Sequence, residues 1–398
     1  MWAKHLRIFQ FARPKPYTVC GRAFTTVWQP ALSGSKVLNQ VLHDRPVSTE
    51  ELEATAPPAH YLHSLAELVA EARQKPARLY QRSIRRPNQL GQVPCQGCGR
   101  YLEPAAFRKA RLRCKSCERS DHLNYNATLR GTLMRLAFSS KARSVIKNIS
   151  HCLDLDDLLD MLLEQEGRCA YSGVALELMR PCTHWRMSLE RRDNSEGYVR
   201  DNCVFVAGEF NSSDFSRCRG VREQDVSGTA QWSAHKVASV SNLGGFRVDA
   251  QRLHADVSLA LECPRLSCAQ GRQEYTRAYN RTLRGRAKIL VSSASKRCAQ
   301  VGHVCEMGYG DILQMLLAQG GRCFYSGVPL RYDQPHVDWQ MSLERLDNSL
   351  EYTKENCVLI AAEFNTPDQS KHAVREVRGS SQWSRAKVMH VWGHARCL

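Results

Sequence analysis

The strongest constraint on how this chain folds is a block of sequence that occurs twice. Residues 188–194 read SLERRDN, and residues 342–348, which lie 154 positions further on, read SLERLDN. The similarity extends on both sides of this block: GRCAYSGVAL (167–176) with GRCFYSGVPL (321–330), and NCVFVAGEFN (202–211) with NCVLIAAEFN (356–365). A duplicated block of about a hundred residues is large enough to be a folding unit. The sequence therefore predicts two copies of one domain, and the identical positions are residues that both copies kept.

Charge points to the kind of partner. The chain has 398 residues, enough for two or three domains. Lys and Arg number 56 against 39 Asp and Glu, which leaves a net charge of +17. This excess predicts a polyanionic partner, above all DNA or RNA, although a solvated basic surface is the alternative. No apolar stretch approaches the roughly 20 residues of a transmembrane helix, so no membrane partner is expected. The sequence indicates no oligomeric state.

The N-terminal segment differs in composition from the rest of the chain. Residues 1–43 contain no Asp or Glu, yet they hold six Lys and Arg residues mixed with aromatic ones. Such a segment is typical of an organelle transit peptide, and an ordinary basic N-terminus is the other interpretation. The predicted location is mitochondrial, with plastid or nucleus as alternatives. Residues 44–94 are poorly defined and partly helical, with one amphipathic helix expected near 59–75.

Four of the 17 cysteines have the spacing of a metal site. Cys95 and Cys98 form one Cys-x-x-Cys pair, and Cys114 and Cys117 form a second after fifteen intervening residues. Two such pairs supply the four thiolates of a closed, structural zinc site. The sequence therefore predicts a zinc ribbon over 95–120, with coincidental thiols or a redox pair as alternatives. Cys263 and Cys268 resemble the remnant of a second module, to which no metal is assigned.

Each repeat begins with a basic helix. Leucines spaced i, i+4, i+7 at Leu129, Leu133 and Leu136 predict a buried face. Acidic residues are absent from 122–153 and from 275–305. Because both copies lack acids here, the cations are expected to contact phosphate rather than only to aid solubility. The predicted phosphate-contacting residues are Arg130, Arg135, Lys141, Arg143, Arg281, Arg284, Arg286 and Lys288.

The later part of each repeat predicts a compact site. An apolar helix and a Cys-x-Tyr-Ser-Gly turn precede a Met-Ser-Leu-Glu-Arg strand, an Asp-Asn-Ser turn, an Asn-led strand and a helix starting at Glu-Phe-Asn. A strand ending in an acidic residue, followed by a strand and a helix, is the layout of a ββα-metal site. That chemistry requires a carboxylate and a His or Asn on a divalent cation, and a base to activate water. The candidate catalytic residues are Glu190, Arg191, Asp193, Asn202, Asn211, Glu344, Arg345, Asp347, Asn356 and Asn365. For the Asp-Asn pairs and the two glutamates, a role in folding alone is the alternative.

In these motifs the chain resembles the HNH (ββα-metal, His-Me finger) nuclease superfamily, particularly its endonuclease VII-like and phage-type members. The resemblance rests on the cysteine pairs, then Gly167-Arg168-Cys169-Ala170-Tyr171-Ser172-Gly173, Glu190-Arg191-Arg192-Asp193, Gly197-Tyr198-x-x-x-Asn202 and Asn211, and it covers roughly 95–237 and 275–388. It implies that Asn202 and Asn356 orient a base. It also implies a Mg²⁺ or Mn²⁺ ion held by Glu190, Asn211, Glu344 and Asn365.

The resemblance also predicts the overall organisation. The chain is expected to be an α+β protein in which the zinc ribbon precedes two tandem HNH-like domains. These domains cover 121–238 and 275–390, each is preceded by basic amphipathic helices, and a linker over 239–274 separates them.

One departure from the family bears on function. Arg191 and Arg345 stand where the family has its general-base His. Arginine is not deprotonated in proteins, but its planar guanidinium can clamp a phosphate. Two functions therefore remain open: a metal-dependent endonuclease, or a catalytically inactive DNA- or RNA-binding protein of an organelle or of the ribosome. A zinc-dependent protein-interaction scaffold is a third, which the charge of +17 disfavours.

Overall fold

A computed structural model describes the chain in segments that include both repeats: 47–74, 86–109, 111–180, 183–212, 231–242, 247–262, 272–333, 337–347, 349–366 and 382–393. The predicted transit peptide and the Cys263–Cys268 pair lie outside these segments. In the described residues the protein is mixed α+β, as predicted, with helices packed around two-stranded antiparallel sheets. No helix of these segments is both long and apolar enough to span a bilayer.

The N-terminal part and the cysteine module come first along the chain. Their elements are helix α1 (Thr49–Ala54), helix α2 (Leu65–Arg73), strands β1 (Val93–Pro94) and β2 (Tyr101–Leu102), and helix α3 (Lys115–Asn126). Strands β1 and β2 form a short antiparallel hairpin. The second cysteine pair lies at the start of α3, where Cys114 is the N-cap. The predicted zinc ribbon is therefore, in the described residues, a short hairpin joined to a helix, with one cysteine pair on each.

The two repeats follow, and both contain a long helix, an apolar helix, two strands and a closing helix in that order. Repeat one holds helices α4 (Leu129–Lys147) and α5 (Leu155–Glu164), strands β3 (Met187–Arg191) and β4 (Cys203–Ala207), and helix α6 (Ala234–Ser241). Repeat two holds helices α7 (Ala250–Glu262), α8 (Arg272–Asn280), α9 (Leu283–Gln300) and α10 (Tyr309–Ala318), strands β5 (Met341–Arg345) and β6 (Cys357–Ala361), and helix α11 (Arg385–Trp392).

The strand pairs have the same register in both repeats. In repeat one Glu190 lies opposite Val204, and in repeat two Glu344 lies opposite Val358. Every residue of β4 and β6 is buried, which places each hairpin inside the core rather than at its surface. The strands that carry the candidate glutamates are therefore rigid, well-supported elements.

The helix predicted to begin at Glu-Phe-Asn is replaced by a short turn. In repeat one Phe210 N–H bonds to the Ala207 carbonyl and Asn211 N–H to the Gly208 carbonyl, and in repeat two Ala362–Phe364 form a 3-10 helix. The residues that follow, 213–230 and 367–381, lie outside the described segments. The ββα unit is therefore represented here by its two strands and this turn.

The repeats extend further towards the N-terminus than their sequence similarity. Helix α2 buries Leu65, Val69 and Ala72, and helix α7 buries Leu253, Val257 and Ala260, with the same i, i+4, i+7 spacing. Both helices pack against the long helix and the apolar helix of their repeat. The segment 239–274, predicted as a linker, thus contains part of repeat two. Helices α2 and α4 of repeat one correspond to α7 and α9 of repeat two, and the cysteine module lies between α2 and α4.

Two buried ion pairs join the repeats reciprocally. Lys387 of α11 contacts Glu209 of repeat one with an Nζ–Oε1 distance of 2.6 Å, and Lys236 of α6 contacts Glu363 of repeat two at 3.0 Å. All four side chains are at most 9% exposed. Each lysine also donates to a main-chain carbonyl of its own repeat, at Gln382 or Gln231. Each closing helix therefore lies on the other copy.

Aromatic rings surround these ion pairs in the same reciprocal pattern. Phe210 contacts Trp383 of the other repeat with ring centroids 5.1 Å apart, and Phe364 contacts Trp232 at the same distance. The two tryptophans also contact each other, at 5.4 Å. Edge-to-face aromatic pairs contribute about 0.5–1.5 kcal/mol each beyond their buried area. The centre of the molecule is thus an apolar, ring-filled contact between the two copies.

We expect Lys387→Met to lower the free energy of unfolding by about 3–5 kcal/mol, because it leaves Glu209 as a buried charge without its partner. Urea denaturation followed by circular dichroism measures this change. The double variant K387M/E209Q removes both charges and should recover part of the loss. The exposed Lys141→Met is the control. A K387M variant within about 0.5 kcal/mol of that control would show that the pair does not hold the repeats together.

Candidate functional site

The four cysteines of the N-terminal module form a compact cluster. Their sulfur atoms all lie within 4.8 Å of one another. Cys95 and Cys98 belong to a tight turn in which Gly99 N–H donates to the Cys95 carbonyl at 2.8 Å and Gly99 adopts a left-handed φ of 70°. Gly97 has no room for a side chain, because a Cβ there would lie 2.8 Å from Cys117. The turn is thus shaped to bring the two cysteine pairs together.

Backbone amides favour the thiolate form of Cys95. The Cys95 sulfur accepts hydrogen bonds from Gly97 N–H at 3.3 Å and from Cys114 N–H at 3.2 Å. Burial raises the pKa of Cys95, but the amides of Cys114, Cys98 and Gly97 outweigh it and lower the pKa to about 6. Four sulfurs at this separation fit a tetrahedral zinc ion. With all four positions filled by cysteine, the ion would join the hairpin to α3 and leave no place for substrate.

The glutamates of the site strands are buried. Glu190 is 7% exposed and Glu344 is 4% exposed. Burial raises the pKa of Glu190 to about 7, although Arg191, Arg143 and Lys147 act in the opposite direction. The neighbouring Tyr171 has its pKa raised to about 12 by burial and by the Glu190 charge. Glu190 is therefore a carboxyl group in a largely apolar setting, with three cationic side chains nearby.

Arg191 and Arg345 are used to hold the loop between the strands. Arg191 donates through Nη1 to the carbonyls of Asn194 and Glu196, at 2.9 and 2.6 Å. Its guanidinium lies 4.9 Å from the centre of the Tyr198 ring. In repeat two Arg345 lies 4.6 Å from the equivalent ring of Tyr352. These are cation–π distances, so both arginines have well-defined structural partners.

A second guanidinium approaches each of these rings from the long basic helix. Arg143 of α4 lies 5.7 Å from the Tyr198 ring centre, and Arg297 of α9 lies 5.3 Å from that of Tyr352. Both arginines are exposed. We call each group of one tyrosine and two arginines an arginine–tyrosine cluster: Arg143, Tyr198 and Arg191 in repeat one, and Arg297, Tyr352 and Arg345 in repeat two. Arg297 was not among the predicted phosphate contacts. It lies 154 positions after Arg143, the spacing between the two repeats, and this spacing could have identified it as the equivalent of Arg143.

The candidate orienting asparagines brace the same loop. Asn202 accepts from Asp193 N–H at 2.8 Å and donates to the carbonyls of Asp193 and Gly197. Asn356 makes the equivalent three bonds in repeat two. The Asp193 carboxylate accepts from the hydroxyl and the amide of Ser195, and these bonds lower its pKa. Both the oxygen and the nitrogen of each asparagine side-chain amide are therefore engaged in loop structure.

The closing asparagines are likewise bound to the site strand. The Asn211 side-chain amide donates to the Ser188 hydroxyl at 2.9 Å and to the Leu189 carbonyl at 3.0 Å. Asn365 does the same with Ser342 and Leu343. Within the described segments, the four cysteines are the group of three or more His, Cys, Asp or Glu side chains that meets the spacing for a metal. Glu190 and Glu344 belong to no such group, so the predicted Mg²⁺ or Mn²⁺ site has no support from the geometry.

The predicted phosphate contacts divide into two classes. Three arginines bind main-chain carbonyls: Arg130 caps α2 at Ala72, Arg284 caps α7 at Ala260, and Arg286 binds the Met341 carbonyl. Burial lowers the pKa of Arg286 to about 10. Structural roles account for these three. The remaining residues are exposed: Arg135, Lys141 and Arg143 on α4, Lys288 on α9, and Arg281 in the turn between α8 and α9.

The Cys-x-Tyr-Ser-Gly turns have the backbone of a zinc knuckle, with Ser172 or Ser326 at the position of its second cysteine. Gly173 N–H donates to the Cys169 carbonyl at 2.8 Å, and Gly327 N–H donates to that of Cys323 at 2.8 Å, as Gly99 does to Cys95. Here the sulfur accepts instead from the amide of Ala207 or Ala361, at 3.3 Å. Each turn therefore anchors the end of a core strand.

We expect the purified chain to carry about one zinc ion, and Cys114→Ser to lose it, because three thiolates hold zinc far less firmly than four. Metal content by mass spectrometry measures this. The exposed Cys152→Ser is the matched control and should retain the ion. Equal zinc in both variants, or none in the unmodified chain, would contradict the assignment of this cluster.

We expect the Glu190 carboxyl to make stability depend on pH. Its folded-state pKa is about 7 against an ordinary 4.5. Stability from this group is therefore complete below pH 4.5 and is lost as pH rises through 7, by about 3 kcal/mol. Glu190→Gln should match the unmodified protein at pH 4 and exceed its unfolding free energy at pH 8. The exposed Glu196→Gln should change neither value. An E190Q variant that is no more stable at pH 8 would refute this.

Comparison with known proteins adds no family to this picture. No family model, curated protein or solved structure matched the chain. What it does must therefore be argued from its own residues: a cysteine cluster that fits zinc, two buried glutamates, two arginine–tyrosine clusters and two long basic helices.

Proposed function

We propose that this protein binds nucleic acid through the exposed faces of α4 and α9, and that it does so without cutting it. The observation that carries the proposal is the pair of equivalent arginine–tyrosine clusters. In each, an exposed arginine of the long helix, Arg143 or Arg297, is held over a tyrosine ring. A guanidinium held in this way retains donors for phosphate and loses little freedom on binding.

The surroundings of these arginines support a polyanionic partner. The exposed Lys141 and Lys147 accompany Arg143 on α4, and the exposed Lys288 and Lys296 accompany Arg297 on α9. Neither helix contains an acidic residue. The chain as a whole carries +17. Such a surface favours the closely spaced phosphates of DNA or RNA, whose condensed counterions are released on binding.

The side chains resembling HNH catalytic residues support binding rather than cleavage. Hydrolysis would require a metal ion and a base that activates water. Arg191 and Arg345 cannot supply the base. The amides of Asn202, Asn211, Asn356 and Asn365 are all hydrogen-bonded within the fold. An HNH-like scaffold that keeps the loop and lacks the catalytic geometry accounts for these features.

A metal-dependent endonuclease is the second candidate, and one observation favours it. The pKa of Glu190 is raised to about 7 by burial, beside the cations Arg143 and Lys147. A carboxyl group that titrates near neutral pH can accept a proton from water. In repeat two Val301 takes the place of Lys147. Any cleavage would therefore be expected from repeat one.

We expect Arg143→Gln with Arg297→Gln to weaken binding of a short duplex about tenfold or more, and to reduce the slope of log affinity against log salt by about two, because two phosphate contacts are lost. Fluorescence anisotropy at several salt concentrations, on duplex DNA and duplex RNA, measures both quantities. The matched control is Arg252→Gln with Lys354→Gln, which removes two cations that form ion pairs with Asp256 and Asp311.

Two outcomes of this experiment would count against the proposal. One is an affinity that does not change with salt, and the other is equal weakening in the control. Incubation of plasmid DNA with Mg²⁺ or Mn²⁺ distinguishes the two candidates. Nicking that Glu190→Gln abolishes and Glu344→Gln preserves would establish the endonuclease, whereas retarded migration without nicking supports binding alone.

A further inference from the structure

The long helices of the two repeats end in the same reversing turn. In repeat one Asn148 has a left-handed φ of 53° and Ile149 N–H donates to the Ser144 carbonyl at 3.0 Å. In repeat two Gly302 has a φ of 76° and His303 N–H donates to the Cys298 carbonyl at 2.9 Å. This is the hydrogen-bonding pattern of a helix that ends and reverses through a left-handed residue. It turns the following segment back along the last turn of the helix.

In repeat two this reversal brings two cysteines together. Cys298 lies in the last turn of α9 and is 3% exposed, and Cys305 lies seven positions later and is partly exposed. Burial raises the pKa of the Cys298 thiol, and the nearby Cys305 thiol raises it further. Both are free thiols in the described structure. The local geometry therefore presents a buried thiol next to one that solvent reaches.

Repeat one provides an internal comparison for this site. The positions of Cys298 and Cys305 are occupied there by Ser144 and His151, and the turn has the same hydrogen bond. The turn does not need thiols to form. The two cysteines are therefore a property of repeat two that the shared fold leaves unexplained.

A metal site does not explain the pair. Cys357, at the start of β6, is a third thiol in this region. Burial raises its pKa, Arg345 acts in the opposite direction, and the Cys305 charge raises it further. These three sulfurs do not meet the mutual spacing of the N-terminal cysteine cluster, which is the group that does so among the described residues. Two neighbouring thiols, joined by no third ligand at that spacing, fit a disulfide better than an ion.

We propose that Cys298 and Cys305 form a reversible disulfide in repeat two, with a small-molecule disulfide such as oxidised glutathione as oxidant. The Cys305 thiolate, which is the more accessible, attacks one sulfur of the small disulfide and releases one thiolate. The Cys298 thiolate then attacks the Cys305 sulfur of the mixed disulfide and releases the second. Two protein thiols are oxidised, and one small disulfide is reduced to two thiols.

The bond would join the last turn of α9 to the segment that precedes α10. Arg297 is adjacent to Cys298, and its guanidinium lies 5.3 Å from the centre of the Tyr352 ring, so the disulfide would lie directly beside the arginine–tyrosine cluster of repeat two. Repeat one, with Ser144 and His151, would be unaffected. The proposal stands independently of nucleic-acid binding, since it concerns only the state of two thiols.

The test uses the full chain, incubated with oxidised or with reduced glutathione, alkylated under denaturing conditions and digested with trypsin. No Lys or Arg lies between Cys298 and Arg322, so both cysteines fall in one peptide. After oxidation we expect that peptide to lose two hydrogen atoms in mass and to take up no alkylating reagent. Reduction before alkylation should restore two alkylated cysteines. Cys357→Ser and Cys152→Ser, the controls, should behave like the unmodified chain.

Three results would overturn the assignment. The first is alkylation of both cysteines after oxidation, and the second is glutathione retained on Cys305. The third is a linked peptide pair that joins Cys305 to Cys357. Because the measurement is made on the unmodified protein, it does not depend on whether a cysteine variant folds.

Discussion

Two reciprocal ion pairs, Lys387 with Glu209 and Lys236 with Glu363, determine how the rest of the molecule is arranged. A buried charge is tolerated only where its partner is placed accurately, so the pairs fix the closing helix of each repeat on the other. Each glutamate also accepts the backbone amide of a tryptophan, Trp185 or Trp339, held at a left-handed φ of 58° or 64°. Such a conformation is rare for a bulky residue and requires support from its surroundings.

The duplication explains why conserved polar residues are a poor guide to catalysis in this chain. Glu209 and its copy Glu363 are identical because each binds the other repeat, and Asn202 and Asn356 are identical because each braces a loop. Identity between the copies therefore marks residues the fold requires as well as residues that act on a ligand. Differences between the copies, such as Ser144 against Cys298, are the more specific signal, because the shared fold cannot account for them.

Much of the architecture could be predicted from local pattern. The strands around Glu190 and Glu344, the long basic helices and the cysteine cluster follow from periodicity and spacing, which local sequence determines. The capping roles of Arg130 and Arg284 could not be predicted, because their partners are main-chain carbonyls of helices 58 and 24 positions earlier, and a sequence pattern does not show which carbonyls a side chain will meet. The contacts of Lys236 and Lys387 depend on how the two copies pack, which involves residues 127 and 178 positions apart. The i, i+4, i+7 apolar spacing shared by α2 and α7 was the one sequence signal that could have revealed the larger repeat.

The exchange of the closing helices has a consequence for how such a chain can arise. A single repeat would expose its glutamate, its lysine and its tryptophan rings to water, and all three find their partners only in a second copy. A gene that encoded one repeat with these residues would therefore produce an obligate two-fold dimer, in which each subunit lends its last helix to its neighbour. Fusion of two such genes makes the association intramolecular and independent of concentration. It also allows the two halves to diverge. The Cys298 and Cys305 pair is found in repeat two alone, and Lys147 of repeat one is replaced by Val301 in repeat two.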